Sequence, residues 1–540
     1  WADYPGITDY VNVYELDANG APVAPNGVLD PAASYRVVKD ADDVEQWMVR
    51  ATLLWEPTDA ISIKAYHARQ SDDVGGRRQQ TVGVDGYGRE YDEYENGSVQ
   101  LEPSTRDLHV SALEANIDLG FATLTSSSSY YEHEGDSISE NTGFYAQAGF
   151  LGFYYNYPRP MASAVRTYED SAFVQEVRLV SNTDWAIDYI IGGFYRNQDL
   201  VATQESYLRG FKQWWDAFLP FAAGAVTGDQ DFDYRRKEDF EEIAVFGELT
   251  WHITEDIDFT GGFRYFDNES KNDTFIDLPL YAGVFTPTNA FFKSSEDDVL
   301  FKGNLSWRFT DDDMFYATVS EGYRRGGSNA VPLTGVFAED PNWQVYTADS
   351  VVNYEAGLKG VANGIRYDLS LFYIDWDDPQ LNTATTNWGF FAVQNGSSAR
   401  TMGLEAQFDG YVGERLHYNL GYAFVDAELK GDFFAPDNPL TPVALDGAAL
   451  PGAPKHMVNW AFDYTVDLAP EWSLFARVDG FYQSESRNGV GVSPTFNFPL
   501  DGFLFWNSTL SVTLGIFFAI VKNALSSFPG PGGGPGAVSL

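Results

Sequence analysis

The chain has 540 residues, with 34 Lys and Arg against 78 Asp and Glu, a formal net charge of −44. That charge repels a phosphate backbone and excludes a nucleic-acid partner, while 40 Phe, 32 Tyr and 14 Trp exclude a disordered acidic chain. With no cysteine, disulfides, thiolate metal sites and cysteine nucleophiles are all excluded.

The chain opens at Trp1 without an initiator Met, a basic stretch or an apolar leader, so it is expected to be processed or a fragment. Polarity then alternates with period two almost everywhere, and helical periodicity is nearly absent. Eighteen strands are predicted, at 45–56, 61–70, 105–118, 121–134, 171–181, 184–198, 239–252, 256–270, 296–309, 313–323, 346–360, 363–376, 388–411, 414–428, 455–467, 471–485, 502–513 and 516–523. In one of them Phe301, Gly303, Leu305, Trp307 and Phe309 oppose Lys302, Asn304, Ser306 and Arg308. In another, Val458, Trp460, Phe462, Tyr464 and Val466 oppose Asn459, Ala461, Asp463, Thr465 and Asp467. Residues 508–525 are the one stretch resembling a membrane helix, but Lys522 interrupts it and its Val, Ile, Phe and Thr suit a strand.

The connections alternate in length. Short turns fall at 57–59, 119–120, 181–184, 252–256, 311–312, 361–364, 412–413 and 468–470. Long stretches lie between them at 71–104, 135–170, 199–238, 271–295, 324–345, 377–387, 429–454 and 486–501. This alternation puts all short turns at one rim and all long loops at the other, as in an outer-membrane barrel. Strands in lipid must pair every backbone group, so the sheet must close. Trp55, Trp251, Trp307 and Trp472 each sit beside a short turn, where a periplasmic aromatic girdle belongs. A soluble propeller or tandem sandwich would bury apolar faces and would not carry eight long loops on one side. The fold class is therefore all-β: a single transmembrane antiparallel β-barrel domain over 1–540.

Seven motifs in order resemble the barrel of TonB-dependent outer-membrane receptors. They are Arg50-Ala-Thr-Leu-Leu-Trp-Glu-Pro-Thr-Asp59, Phe173-Val-Gln-Glu-Val-Arg-Leu179, the Phe315–Asn329 strand end with Tyr323-Arg-Arg-Gly-Gly327, Asn353-Tyr-Glu-Ala-Gly-Leu-Lys-Gly360, Asn395-Gly-Ser-Ser-Ala-Arg-Thr-Met-Gly-Leu-Glu405, Leu450-Pro-Gly-Ala-Pro-Lys-His456 and Val521-Lys-Asn523. The resemblance implies about twenty-two strands behind an N-terminal plug, of which about eighteen strands and no plug are visible. The turn near Leu514-Gly515 is compressed, and the tail Pro529–Leu540 is loop-like. As it stands the sheet is expected not to close.

No catalytic constellation stands out, and the six His residues fall on separate strands, so no enzyme is expected. Asp229-Gln-Asp-Phe-Asp233 and Asp40-Ala-Asp-Asp43 offer oxygens to a loop-bound Ca²⁺; a solvated acidic loop is the favoured reading of both, and no other cofactor is expected. Two loops are rich in aromatics that can form a ligand platform or pack on one another. One holds Phe144, Tyr145, Phe150, Phe153, Tyr154, Tyr155 and Tyr157; the other holds Tyr207, Phe211, Trp214, Trp215, Phe218 and Phe221. Tyr145, Tyr154, Tyr155, Trp214 and Trp215 are the candidate ligand-binding residues among them. Arg324 and Arg325, where a strand enters a long loop, are candidates to meet an anionic ligand or lipopolysaccharide; a lumen-side ion pair is favoured.

By resemblance, the expected function is import of a scarce small-molecule ligand across the outer membrane. Ferric siderophores come first; cobalamin, haem and oligosaccharides are the others. The resemblance also implies partners: the TonB, ExbB and ExbD complex acting on the plug, and the lipid and lipopolysaccharide of the membrane. A passive porin-like channel and a surface adhesin remain as alternatives.

Overall fold

The computed structural model describes residues 3–8, 18, 35–84, 88–142, 157, 162–182, 185–281, 285–335, 337–387, 389, 391–491, 497–514 and 518–520. Among them, eighteen strands form one closed antiparallel ring. In chain order they are β1 (Val44–Thr58), β2 (Ile61–Val74), β3 (Ser104–Asp118), β4 (Ala122–Glu140), β5 (Ala162–Ser181), β6 (Ile187–Leu208), β7 (Gln230–His252), β8 (Ile257–Asp277) and β9 (Thr288–Arg308). Then follow β10 (Asp313–Arg324), β11 (Asp349–Ala362), β12 (Ile365–Asp377), β13 (Ala399–Val412), β14 (Leu416–Leu429), β15 (His456–Ala469), β16 (Trp472–Gln483), β17 (Phe503–Leu514) and β18 (Phe518–Ile520). Each strand neighbours the next, and the short β18 lies between β17 and β1. The expectation of an unclosed sheet is thereby corrected: β18 pairs with Val512–Leu514 of β17 and completes the ring to β1.

Register fixes the two faces. On β7, Ile243, Val245, Leu249 and Trp251 point outward; Tyr265 and Phe259 on β8 stand opposite Val245 and Trp251. The series continues through Phe301, Leu305 and Trp307 on β9 to Phe315 and Val319 on β10. These side chains remain about half exposed because lipid, not protein, covers them. Trp55, Trp251, Trp307 and Trp472 all lie on or beside the short-turn rim. The opposite face carries Thr250, Glu248, Lys302, Asn304 and Glu355, and it lines the lumen. A ring of this size is roughly 35–40 Å across, from ~4.8 Å strand spacing and a tilt of about 40°. That is too wide for side chains to fill.

The strands differ in height. β4–β9 run for 19 to 23 residues, against 12 to 15 for most others. The predicted 239–252 becomes Gln230–His252, and 171–181 becomes Ala162–Ser181. The added residues are at the long-loop end. There the outward positions turn charged and pair across strands: Glu269 on β8 takes Lys271 and Lys293, both at 2.7 Å. The predicted strand 388–411 is two elements. Phe391–Asn395 pairs with Gln380–Ala384 in a loop hairpin, and β13 begins at Ala399.

A helix, α1 (Phe211–Phe218), interrupts the β6–β7 connection. Gly210 precedes it at φ 82°, a left-handed turn that suits glycine. Asp229 caps its start by accepting from the amides of Gly210 and Lys212, both at 2.9 Å.

Candidate functional site: the upper lumen and mouth

β10 pairs with β9 only from Arg308–Met314 to Lys302–Ser320. Beyond Ser320 its end leans inward and carries Tyr323 and Arg325 to β8 and β7. The Tyr323 ring stacks on Phe266 of β8 at 3.9 Å, and its hydroxyl accepts from Asn268 Nδ2 at 3.0 Å. Arg325 reaches β7, where its Nη2 meets Glu238 Oε1 at 2.6 Å and its guanidinium lies 4.0 Å from the Phe240 ring centroid. Arg196 of β6 lies 5.8 Å from the same ring. Glu238 is buried and also takes Arg236, whose Nε donates to Asn272 Oδ1 at 3.1 Å. Desolvation works against the Arg236 charge, but Glu238 and Tyr234 beside it hold that charge above its ordinary range. Glu238 stands 14 residues from the turn end of β7, roughly 35 Å above the rim at ~3.3 Å rise per residue and about 40° tilt, clear of the ~25 Å apolar band.

Three buried polar atoms at this wall lack hydrogen-bond partners among the described residues: Arg325 Nη1, Arg196 Nε and Glu296 Oε2. The two arginine atoms are donors left open beside an aromatic ring, which an anionic, ring-bearing ligand satisfies; the Glu296 oxygen is an acceptor.

The predicted residues distribute differently. Arg324 turns to the opposite side, placing Nη2 2.5 Å from Asp349 Oδ2 and donating to the Gln380 carbonyl at 3.1 Å. Asp349 also accepts from Trp376 Nε1 at 3.1 Å. Both arginines therefore make lumen-side ion pairs, as favoured, but they do not form one site. Trp214 is 3% exposed, inside a loop core with Tyr157, Leu208, Phe211, Ala217 and Val226. It stacks on Phe218 at 4.8 Å. Its role as an open platform is corrected: the loop packs on its own aromatics because an eight-residue helix needs a covered face. Trp215 is partly buried and donates its indole N–H to the Ala222 carbonyl at 3.2 Å. Phe221, 88% exposed, offers the open ring of that loop. Tyr145, Tyr154 and Tyr155 lie outside the described residues.

The acidic runs are also committed elsewhere. Asp229 caps α1, Asp233 pairs with Arg235 at 2.9 Å, and Asp42 faces Arg78 at 3.8 Å. Among the described residues no group of three or more His, Cys, Asp or Glu is arranged to hold a metal. The histidines remain separate: His252 bridges Asp258 and Asp188 at 2.7 and 2.9 Å, and His417 bridges Asp409 and Asp463 at 2.9 and 3.3 Å.

Sequence reasoning missed Arg196, Glu238, Phe240 and Tyr323. The signal available was the run Tyr234-Arg-Arg-Lys-Glu238, whose alternation puts Arg236 and Glu238 on the lumen face.

The family model "TonB dependent receptor-like, beta-barrel" matches residues 55–524. The chain belongs to the TonB-dependent receptor family. It is thus a barrel of the bacterial outer membrane, from a family of transport receptors and not of enzymes. The pesticin receptor of Yersinia enterocolitica is 28% identical over 284 residues, covering 51% of this chain and 38% of the relative. The pesticin receptor of Yersinia pestis matches 28% over 285 residues, with the same coverage. Among solved structures, the ferric yersiniabactin uptake receptor of Yersinia pestis superimposes with a TM-score of 0.64 at 17% identity, over 87% of this chain and 63% of that one. The siderophore receptor PiuA of Acinetobacter baumannii gives 0.62 at 13%, over 88% and 68%. The chain thus spans well under half the length of the curated relatives it matches.

Proposed function

We propose that residues 1–540 are the single barrel domain of a TonB-dependent importer that carries a ferric siderophore across the outer membrane. A plug domain would occupy the wide lumen, and the TonB, ExbB and ExbD complex would act on it. The observation that carries the ligand class is the upper wall. Arg325 and Arg196 flank Phe240, with open donors on both guanidiniums. Metal-chelating ligands built from acidic and aromatic groups match cations set beside a ring. The names of the relatives, a pesticin receptor and a ferric yersiniabactin receptor, support the same class.

The test expresses the full-length receptor in a Gram-negative host stripped of its own siderophore receptors and follows uptake of radiolabelled iron from a panel of ferric siderophores. Uptake that a protonophore abolishes supports the proposal. Uptake that persists with the protonophore present favours a passive channel. Failure of every siderophore, with capture of cobalamin, haem or an oligosaccharide, moves the ligand class.

A further inference from the structure

We propose that the outward face of β2–β5 is the surface through which two copies of this protein associate within the outer membrane. This rests on the barrel's location in the membrane and not on the ligand it carries. Between four and seven residues from the turn end, five outward residues on these four strands are polar: His67, Ser111, Ser126, Ser128 and Gln175. Register puts them on one face, with His67 opposite Ser111, and Ser128 opposite Gln175 and Leu113. They touch one another. His67 Nδ1 lies 3.0 Å from Ser111 Oγ, Gln175 Nε2 donates to Ser126 Oγ at 3.1 Å, and Ser128 Oγ donates to Gln175 Oε1.

Their depth makes this unusual. His67, Ser128 and Gln175 each stand six residues from the turn end of their strand. That is roughly 15 Å above the rim, near the middle of the ~25 Å apolar band. At the same depth elsewhere in the ring the outward residues are Phe263, Phe301, Val319, Leu371 and Val478. Ser508 on β17 is an isolated exception. Polar and ionisable side chains at that depth are costly against lipid and act as glue between membrane proteins.

A second copy fits better than another partner for two reasons. Every copy stands the same way up in an asymmetric membrane, so a two-fold axis along the normal brings equal depths together. The patch then meets itself. Its hydroxyl, amide and imidazole groups each both donate and accept, so self-pairing needs no opposite charge. Just above, Arg69 and Asp107 form a loose outward pair at 3.6 Å, and Asp107 Oδ1 accepts no hydrogen bond. Across a two-fold axis the Arg69 of each copy can reach the Asp107 of the other.

Residues 1–540 contain no cysteine, so a cysteine introduced here is the barrel's single thiol. Full-length receptor carrying Ser128→Cys is treated in native outer membranes with a short bis-maleimide, beside Val319→Cys at equal depth on the far wall. We expect about tenfold more covalent dimer from Ser128→Cys. Equal yields, no dimer, or a cross-link to a different protein overturns the proposal. A second variant, His67→Leu with Ser128→Val and Gln175→Leu, is compared with wild type by sedimentation in detergent. A shift from dimer to monomer with the heat-modifiable folded form intact is the expected result. Wild type that sediments as a monomer, or a variant that remains dimeric, overturns the idea.

Discussion

The lower and upper halves of β4–β9 are continuous strands that follow different rules. Near the turns, outward residues such as Val245, Leu249 and Phe263 are apolar, and inward ones are polar. Further up the strands the outward positions are Lys271, Lys293 and Asp239, and large apolar residues such as Phe240 and Phe266 appear on the lumen side instead. The strand is the same; the solvent is not. Period-two hydrophobicity records where lipid lies, whereas hydrogen bonding between neighbouring tall strands carries the sheet beyond it. The function proposed for this protein resides in the half where the pattern is lost.

Four experiments break or sharpen that contrast. The largest effect is expected in the loop core. Trp214→Ala removes a buried ring and should cost about 3–5 kcal/mol in the local opening of α1. Hydrogen exchange of amides 211–218 reads it, and the melting of the barrel should stay unchanged. Next comes Glu238→Ala, which leaves the Arg236 and Arg325 guanidiniums facing each other without their shared carboxylate. We expect about 3 kcal/mol of local destabilisation, discounted for the partial exposure of both arginines. Ligand affinity should move with it, and unchanged titration calorimetry would remove this wall from the site.

Third, Phe263→Arg puts a charge at mid-membrane and should cost about 2–4 kcal/mol in reversible unfolding from lipid vesicles. Ser295→Arg, outward on the upper part of β9 and opposite Glu269, should cost within about 0.5 kcal/mol of nothing. Equal costs would mean that the boundary between the halves is misplaced. The smallest effect concerns Asp216. Burial raises its carboxyl, but Lys212 and the Gly224 amide outweigh that and hold it below the ordinary value of 3.8. A depressed carboxylate stabilises the fold above that value and loses its contribution as pH falls through the native one. Acidification below about pH 4 should therefore loosen α1 by the ~0.3–0.5 kcal/mol of an i, i+4 pair, and Asp216→Asn should abolish that pH dependence of exchange.

The same physics sets what could be read from the sequence. Each of the eighteen predicted segments overlaps one barrel strand, because lipid imposes alternation and the short turns carry Pro-Thr-Asp or Asp-Asp signals. The upper extensions were invisible because water on both faces imposes no alternation. The helix α1 was invisible because an eight-residue element carries little periodicity, and its cap, Asp229, comes from beyond its far end. Closure through β18 eluded the reading although a strand at 516–523 was expected, because the pairing that joins it to β1 spans nearly the whole chain and leaves no local pattern. Arg325 was legible as a charge on a strand end, but its partner Glu238 is remote in sequence, and only the inward lean of β10 brings them together.

That lean has a mechanical consequence. Above Ser320 the join between β9 and β10 is stitched by side chains: Phe301 N donates to Glu321 Oε2 at 2.9 Å, and Gly326 N to Glu296 Oε1 at 3.0 Å. Along most other joins the staves of this cask are riveted amide to carbonyl, and here they are laced. A tug on the long loop that leaves Arg324 is felt first at the lacing, so the wall has a built-in tear line on its outer side.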